Sequence, residues 1–537
     1  MTIPRSVADV LADHVTLEVE CIDRMYLNVY VPGLQFAEGA VKFIRSHLGN
    51  PIASTVMVAP VTDRFVSDIR RFVAGEGVAL VDFVKGERKD DVMHEHLASF
   101  DADEGVLFVG RAQEKATIFR TEKRHNRETG KSYPFIVRAS AMVNHYYFYA
   151  VDDDFGPFFL KFCSYFPYNA KLCINGNEWA KRQATKAGIG FEALDNGFAT
   201  CEDPKRLQRI CDRLGPHQID RLVRKWLARL PHPYTARDRR AGYRYDLSIL
   251  QAEFSLTQVL DRPLAGRVFF EETIRENLDV GRPDRVSLIF DRRIFNGRRR
   301  HTDSQFRTRV LTNGVTPSLH VEYKHSKIKQ YHKEGVALRT ETTINDTRDF
   351  RIGRRLHHLP ELRQVGFSAN RRLLDVQRIS HDPIIGDTTF AHIAQPIVVE
   401  GQRAPALRFG DPRVHALLAA IVVFRLLPNG FANRDLRTHL APLLGLDPDT
   451  MTAGTMTYDL RRLRLHGLIE RVPHTHRYRV TDTGLRAAWF FTHAYNHILR
   501  PGLADLSDPA STGPLHATFK QLDHHLNQLA AHAGLAA

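Results

Sequence analysis

Hydrophobic positions in the first 135 residues alternate between a spacing of two and a spacing of three to four. These are the periods of strand and helix. Residues 16–31 read as two strands around a turn at Asp23, and 36–47 and 61–73 read as helices. A buried-type strand follows at 78–84, a helix at 90–100, and strands at 105–110 and 116–121. The polar, basic tract 122–134 ends this region as a loop or boundary. From 136 to 230 an aromatic meander predicts strands at 144–150, 157–165 and 171–174, with Asp152-Asp153-Asp154 in its first turn. Helices at 178–186, 203–214 and 217–230 complete it. In 231–380, residues 243–260 fit strand or helix equally, 286–290 is a strand and 306–344 a sheet. The apolar period fails over 381–411, which reads as a connector, and 501–537 is a tail. The fold class is therefore α/β or α+β, multidomain, with mixed sheets in the N-terminal and central regions.

Residues 412–500 carry the sharpest pattern. A very apolar run at 416–424 reads as a first helix, and a short helix and a turn follow Gly430. A second helix spans 452–466, with Met456, Leu460 and Leu463 on one face and Gly467 as its stop. Its opposite face carries Tyr458, Arg461 and Arg462, with Leu465 intruding. Strands at 468–471 and 477–480 flank a basic tip with His474, His476 and Arg477. Helix, turn, helix and a two-stranded wing in that order predict a winged helix-turn-helix, a form that places a helix in a DNA major groove. The phrase DLRRLRLHGLIERVPHTHRYRVTDTGLRAA resembles winged-helix regulators of the MarR-like type. That resemblance implies that the helix enters the groove and the wing lies on the backbone.

Charge supports a nucleic-acid partner. The 537-residue chain has a formal net charge of +14, and residues 281–380 hold 22 Lys and Arg against 10 Asp and Glu, a local +12. A concentrated basic surface attracts phosphate backbones, and its binding weakens with salt. Within that block, residues 327–345 read as a hairpin turning at Glu334-Gly335. Alternation puts Lys327, Lys329, Tyr331 and Lys333 on one face, and Arg339 and Glu341 on one face of the return strand. A tyrosine among cations and a carboxylate has the parts for phosphodiester transfer, with the tyrosine as nucleophile. Tyr331-x-Lys333 followed by Leu338-Arg339-x-Glu341 resembles replication initiators of rolling-circle plasmids and filamentous phages. The resemblance implies a strand nickase with a phosphotyrosyl intermediate and Mg²⁺ or Mn²⁺. The bland alternative is a structural hairpin in a basic binding sheet.

Other features exclude more than they assign. Five cysteines, none in a C-x-x-C pair, argue against a disulfide framework or a structural zinc and for a reducing cytoplasm. No run of residues is long and apolar enough to span a bilayer. No phosphate loop, dinucleotide fingerprint or His-apolar-His motif is legible, and Asp152-Asp153-Asp154 could bind a metal but fit an acidic hairpin turn better, so no cofactor is firmly indicated outside the nickase reading. Glu87-x-Lys89, and Cys201 and Cys211 near His217, are weaker chemical candidates. The nine aromatics of the meander could stack the bases of single-stranded RNA if they faced solvent. The sequence thus predicts a DNA-binding protein, associated with a mobile element or other DNA transaction, that docks duplex through the winged helix and holds phosphate backbone, also single-stranded, on the basic sheet. A nickase using Tyr331 and an RNA-binding protein are its alternatives.

Overall fold

A computed structural model describes residues 14–262, 307–380, 387–495 and parts of 516–528, apart from isolated positions. The strand expected at 286–290 and the basic tract before 307 lie outside the described residues. The fold is mixed α/β, and its first element shows why the sheet is so extensive. Strand β1, Val15–Tyr30, is a single 16-residue strand where alternation suggests two. Its register against β9 runs from Ile22↔Phe254 to Met25↔Ala252, so β1 holds one extra residue at Asp23-Arg24. This is a bulge, which bends a strand and re-aims side chains without ending it. A bulge and a turn look alike in sequence because both interrupt the alternation.

In chain order there follow α1 (Ala59–Glu76), β2 (Ala79–Asp82), α2 (Lys89–Ala98), β3 (Gly105–His125), β4 (Ser132–Asp152), β5 (Gly156–Cys163) and β6 (Ala170–Asn175). Next come α3 (Gly176–Lys186), the hairpin β7 (Phe191–Leu194) and β8 (Gly197–Cys201), α4 (Pro204–Arg213), α5 (Pro216–Arg229) and β9 (Asp246–Leu260). The described central region adds β10 (Arg307–Asn313), β11 (Thr316–Tyr323), β12 (Ser326–Lys333), β13 (Ala337–Ile344) and α6 (Leu359–Ser380). Eleven of these strands form one sheet, ordered β10-β11-β12-β13-β9-β1-β6-β5-β4-β3-β2. Strands from 1–135, 136–230 and 231–380 thus share one hydrogen-bonded layer, which runs through the boundaries placed near 135 and 230. The tract 122–134 is not a loop throughout. It supplies both ends of the β3–β4 hairpin, with His125 paired to Ser132.

The aromatic meander is core. Tyr146, Tyr147, Tyr149, Phe158, Phe162, Phe166 and Tyr168 are all buried, against α1, α5 and one another. Helices cover much of what a half-exposed sheet would have left open, so these seven rings are not free to stack bases, whereas Tyr165 is exposed. Asp152 is likewise structural: it accepts from the backbone amides of Asp154 and Phe155 and from Trp226 and Lys225.

A second core joins α7 (Asp387–Ala394), β14 (Ile397–Val399), β15 (Gln402–Ala404), α8 (Pro412–Phe424), β16 (Phe431–Ala432), α9 (Asn433–Leu443), α10 (Ala453–Leu465), β17 (Ile469–Arg471), β18 (Arg477–Val480) and α11 (Asp482–His493). Ile393, Leu407, Leu417, Leu436, Leu440, Met456, Leu460, Leu463 and Leu485 form its centre. Of the stretch 381–411, expected to connect, the described residues from 387 on belong to this core: Ile393 and Leu407 are fully buried. Its short segments each supply one anchor, which leaves no period to detect. Among the described residues no helix is long and apolar enough to cross a membrane.

Candidate active site and nucleic-acid interface

Strand register assembles the first site. Tyr331 pairs with Arg339 and Lys329 with Glu341 across β12–β13, and on the other side of β13 Arg339 pairs with Thr257 and Glu341 with Ser255 of β9. Alternation sends Gln330 and Thr342 to the opposite face, where they bond Gln377 and Asn370 of α6. Tyr331, Arg339 and Glu341 are therefore on the face away from α6. There the bulge of β1 delivers Asp23 and β9 delivers Glu253. Carboxylate oxygens of Asp23, Glu253 and Glu341 lie within 4.8 Å of one another, a spacing that could hold a divalent cation.

Arg339 organises the cluster. Its side chain is 0 % exposed and pairs with Asp23, donates to the Asn196 carbonyl, and lies 3.5 Å from Glu341. Asn177, at the start of α3, and Asn196, in the β7–β8 turn, also donate to Asp23 at 3.1 and 2.5 Å. Burial opposes the charge on Arg339, but Asp23, Tyr331 and Glu341 outweigh it and its pKa rises. Burial pushes the Glu253 carboxyl up to about 7, helped by the like charges of Glu341 and Asp23. Glu341 rises for the same reasons, burial first and Asp23 next. Glu253 and Glu341 therefore hold their protons more tightly than free carboxyls do, although Arg24 and Lys327 beside Glu253, and Arg339 and Lys329 beside Glu341, offset part of the effect.

Tyr331 is half-buried, and its hydroxyl donates to Glu341 Oε2 at 3.2 Å. Burial, then the neighbouring Glu341 charge, raises its pKa above the ordinary phenol value. The tyrosine and its acceptor are thus in place, but the local field favours the neutral phenol. Lys329 Nζ lies 4.1 Å from the centre of the Tyr331 ring. Lys327 is exposed, whereas Lys333 is 11 % exposed and paired with Glu334 at 3.0 Å. The open cationic row is therefore shorter than alternation implied. Arg339, expected beside an incoming phosphate, is instead buried under the β7–β8 hairpin as a structural counter-ion.

The second site is the outer face of α10. Thr452 caps the helix by accepting from the Thr455 amide, and Gly467, at φ +73°, ends it. Met456, Leu460, Leu463 and Leu465 are buried, so Leu465 belongs to the core. Arg462 does not face solvent: it is buried, with Nε 3.2 Å from the Pro405 carbonyl and a further bond to the Ala406 carbonyl. The chain at Pro405-Ala406 covers that side of the helix. The outward groups are Thr455, Tyr458, Arg461 and Arg464, one helical stripe in which Arg464 takes the place expected of Arg462. In the adjoining hairpin, His474 and His476 are exposed, but Arg477 donates to the Gly430 carbonyl at 2.5 Å and faces Asp435 at 3.5 Å. Arg477 therefore braces β18 against the start of α9.

Asp23 and Glu253 were not legible as site residues. Asp23 has the appearance of a turn residue, and Glu253 lies in a segment whose period fits strand and helix alike. Glu87 accepts from the Val84 amide and Lys89 pairs with Glu114, so they form no joint site. Cys21, Cys163, Cys173 and Cys211 are buried thiols, with Cys201 partly so. No family model matches this chain, and no curated protein or solved structure does either.

Proposed function

We propose that the protein binds duplex DNA through its C-terminal unit, used as a winged helix-turn-helix. The observation that carries this reading is the outer stripe of α10. It leaves Thr455, Tyr458, Arg461 and Arg464 uncovered, while the other side of the helix is anchored in a core and the β17–β18 hairpin extends beside it. A helix held rigidly by one face, with arginines and a tyrosine on the other, suits base-edge and phosphate contact. Asn433, at the start of α9, supports the geometry by donating to the Ala453 carbonyl and to Thr457, fixing the angle between the two helices. Replacing Arg461 or Arg464 with Ala should weaken binding to a selected duplex by about 1–3 kcal/mol where the arginine reads a guanine. Arg462→Ala should act instead through stability. Unchanged site affinity in both Arg461→Ala and Arg464→Ala, measured by fluorescence anisotropy, would remove α10 as the reader.

A second reading is favoured by the convergence of Asp23, Glu253 and Glu341 around the Tyr331–Glu341 hydrogen bond. In it the sheet carries out metal-assisted phosphodiester transfer on a DNA strand. Tyr331 Oη attacks phosphorus, Glu341 takes the phenolic proton, and the bond from phosphorus to one sugar oxygen breaks; that oxygen takes up a proton and leaves as a free hydroxyl end, while the other strand end stays on Tyr331 as a phosphotyrosyl link. Labelled single-stranded DNA with Mg²⁺ or Mn²⁺ should then give an adduct that survives denaturation, and Tyr331→Phe should abolish it with binding retained. An adduct formed by the Phe variant, or none with any DNA and either metal, would sink this second reading and leave the first untouched.

A further inference from the structure

A cleft of about 280 Å³ opens between α6 and the C-terminal unit. It is lined by Arg371, Arg372, Asp375, Arg425, Glu470 and Arg479 among others. Specific ligand pockets run from about 300 to 1,000 Å³, so this one suits a small ligand or one group of a larger one. Its guanidinium groups differ in how they are occupied. Arg371 is held by Glu20 through two bonds, so its guanidinium is already paired. Arg425 spends both terminal nitrogens on Val480 O and Asp482, each at 2.7 Å, and lies 3.7 Å from Asp375, yet its buried Nε has no hydrogen-bond partner. Arg372 forms neither a hydrogen bond nor an ion pair among the described residues, and its Nη1 is buried without a partner. Arg479 projects from β18 with an exposed side chain.

Two neighbouring arginines make the position of Arg372 unfavourable. Burial lowers its pKa to about 10, with Arg479 and Arg425 adding repulsion and Asp375 offsetting only part of it. Buried guanidinium groups are normally paired, because leaving their donors dry and unmatched is costly. Three arginines converging on one cleft, with two buried N–H groups unused, form a receptor for an anion that offers several acceptor oxygens. Guanidinium forks match phosphate in this way.

We infer that this cleft binds a phosphate group, with Arg372 as its central ligand and Arg425 Nε and Arg479 beside it. The phosphate could be carried by a free nucleotide or by a nucleic-acid backbone, and the site chemistry is shared by both. The inference does not depend on how α10 is used.

The test titrates the full chain with inorganic phosphate, with ATP and with a short duplex, by calorimetry and anisotropy. Arg372→Gln and Arg479→Gln are compared with the parent. Arg479 is exposed and its side chain forms no hydrogen bond or ion pair among the described residues, so its variant guards against a folding defect in the other. Inorganic phosphate should bind the parent and weaken about tenfold in each variant, the loss of about one charge-assisted contact. ATP binding tighter than phosphate, with the same loss and unchanged duplex affinity, assigns the site to a free nucleotide. A weaker duplex complex with a salt slope lower by about one assigns it to the backbone. If all three probes bind both variants as they bind the parent, or none binds the parent, the inference is overturned. Arg461→Ala separates the two sites, since it should leave the phosphate titration unchanged.

Discussion

Glu253→Gln should change how stability depends on pH, and in a direction opposite to that of most carboxylates. Burial, with Glu341 and Asp23 nearby, holds the Glu253 carboxyl at about 7 against an ordinary value of 4.5. The folded state therefore binds this proton more tightly than the unfolded chain does. Protonation stabilises the fold at low pH, and that contribution is lost as pH rises from about 4.5 through about 7. With each tenfold change in proton affinity worth about 1.4 kcal/mol, the loss is at most about 3.5 kcal/mol. Glu341 is raised as well and adds to the same trend. At about 2.1 cal/mol/K of unfolding entropy per residue, a cooperative unit of roughly 370 residues loses on the order of 4 °C in melting midpoint. The assay is a melt at pH 5, 6, 7 and 8 for parent and variant. The parent should fall between pH 5 and 8, and Glu253→Gln should fall less and exceed the parent at pH 8. Mg²⁺ or Mn²⁺ should restore the parent at pH 8 but act weakly on the variant, because the cation supplies the charge the cluster lacks. Parallel pH curves for the two proteins would refute the electrostatic account of the cluster.

Asp23→Leu should destabilise the fold by about 3–5 kcal/mol, since it leaves the buried Arg339 with only Glu341 and the Asn196 carbonyl as partners, and Asp23→Leu with Arg339→Met should recover much of the loss in a denaturant titration. Equal losses in the single and double variants would show that the pair is not what holds β1, β13 and the β7–β8 hairpin together. Gly176→Ala should lower the melting midpoint, because an added Cβ would sit 2.0 Å from the Ile22 carbonyl at the bulge. It should also reduce metal-dependent stabilisation, as α3 can no longer bring Asn177 to Asp23, and an unchanged midpoint would mean that α3 shifts freely. Replacing Lys327 and Lys329 with Ala should flatten the salt dependence of DNA binding, and adding Lys333→Ala should change it little further, because that lysine is already paired. A third equal decrement on adding Lys333→Ala would contradict the pairing.

Local chemistry was legible along the chain wherever one short segment carried its own signal. The helices at 178–186, 203–214 and 217–230, the turn at Glu334-Gly335, and the cap and stop of the 452–466 helix all depend on neighbours a few residues apart. The phase of Lys327, Lys329 and Tyr331 on β12 is legible for the same reason, because alternation is a local property of a strand. Partners were not legible. Period-two patterning marks a strand but does not say which strand lies beside it, so one eleven-stranded sheet looked like three regions. Asp23 and Glu253 join Glu341 only through the β1–β9–β13 register and a bulge that sequence cannot tell from a turn. Solvent exposure was equally a tertiary matter. Arg461, Arg462 and Arg464 are interchangeable as residue types, and the turn of chain at Pro405-Ala406 determines which of them is covered. Charge, period and capping are written residue by residue, whereas a site built from four strands exists only once the chain has brought them together.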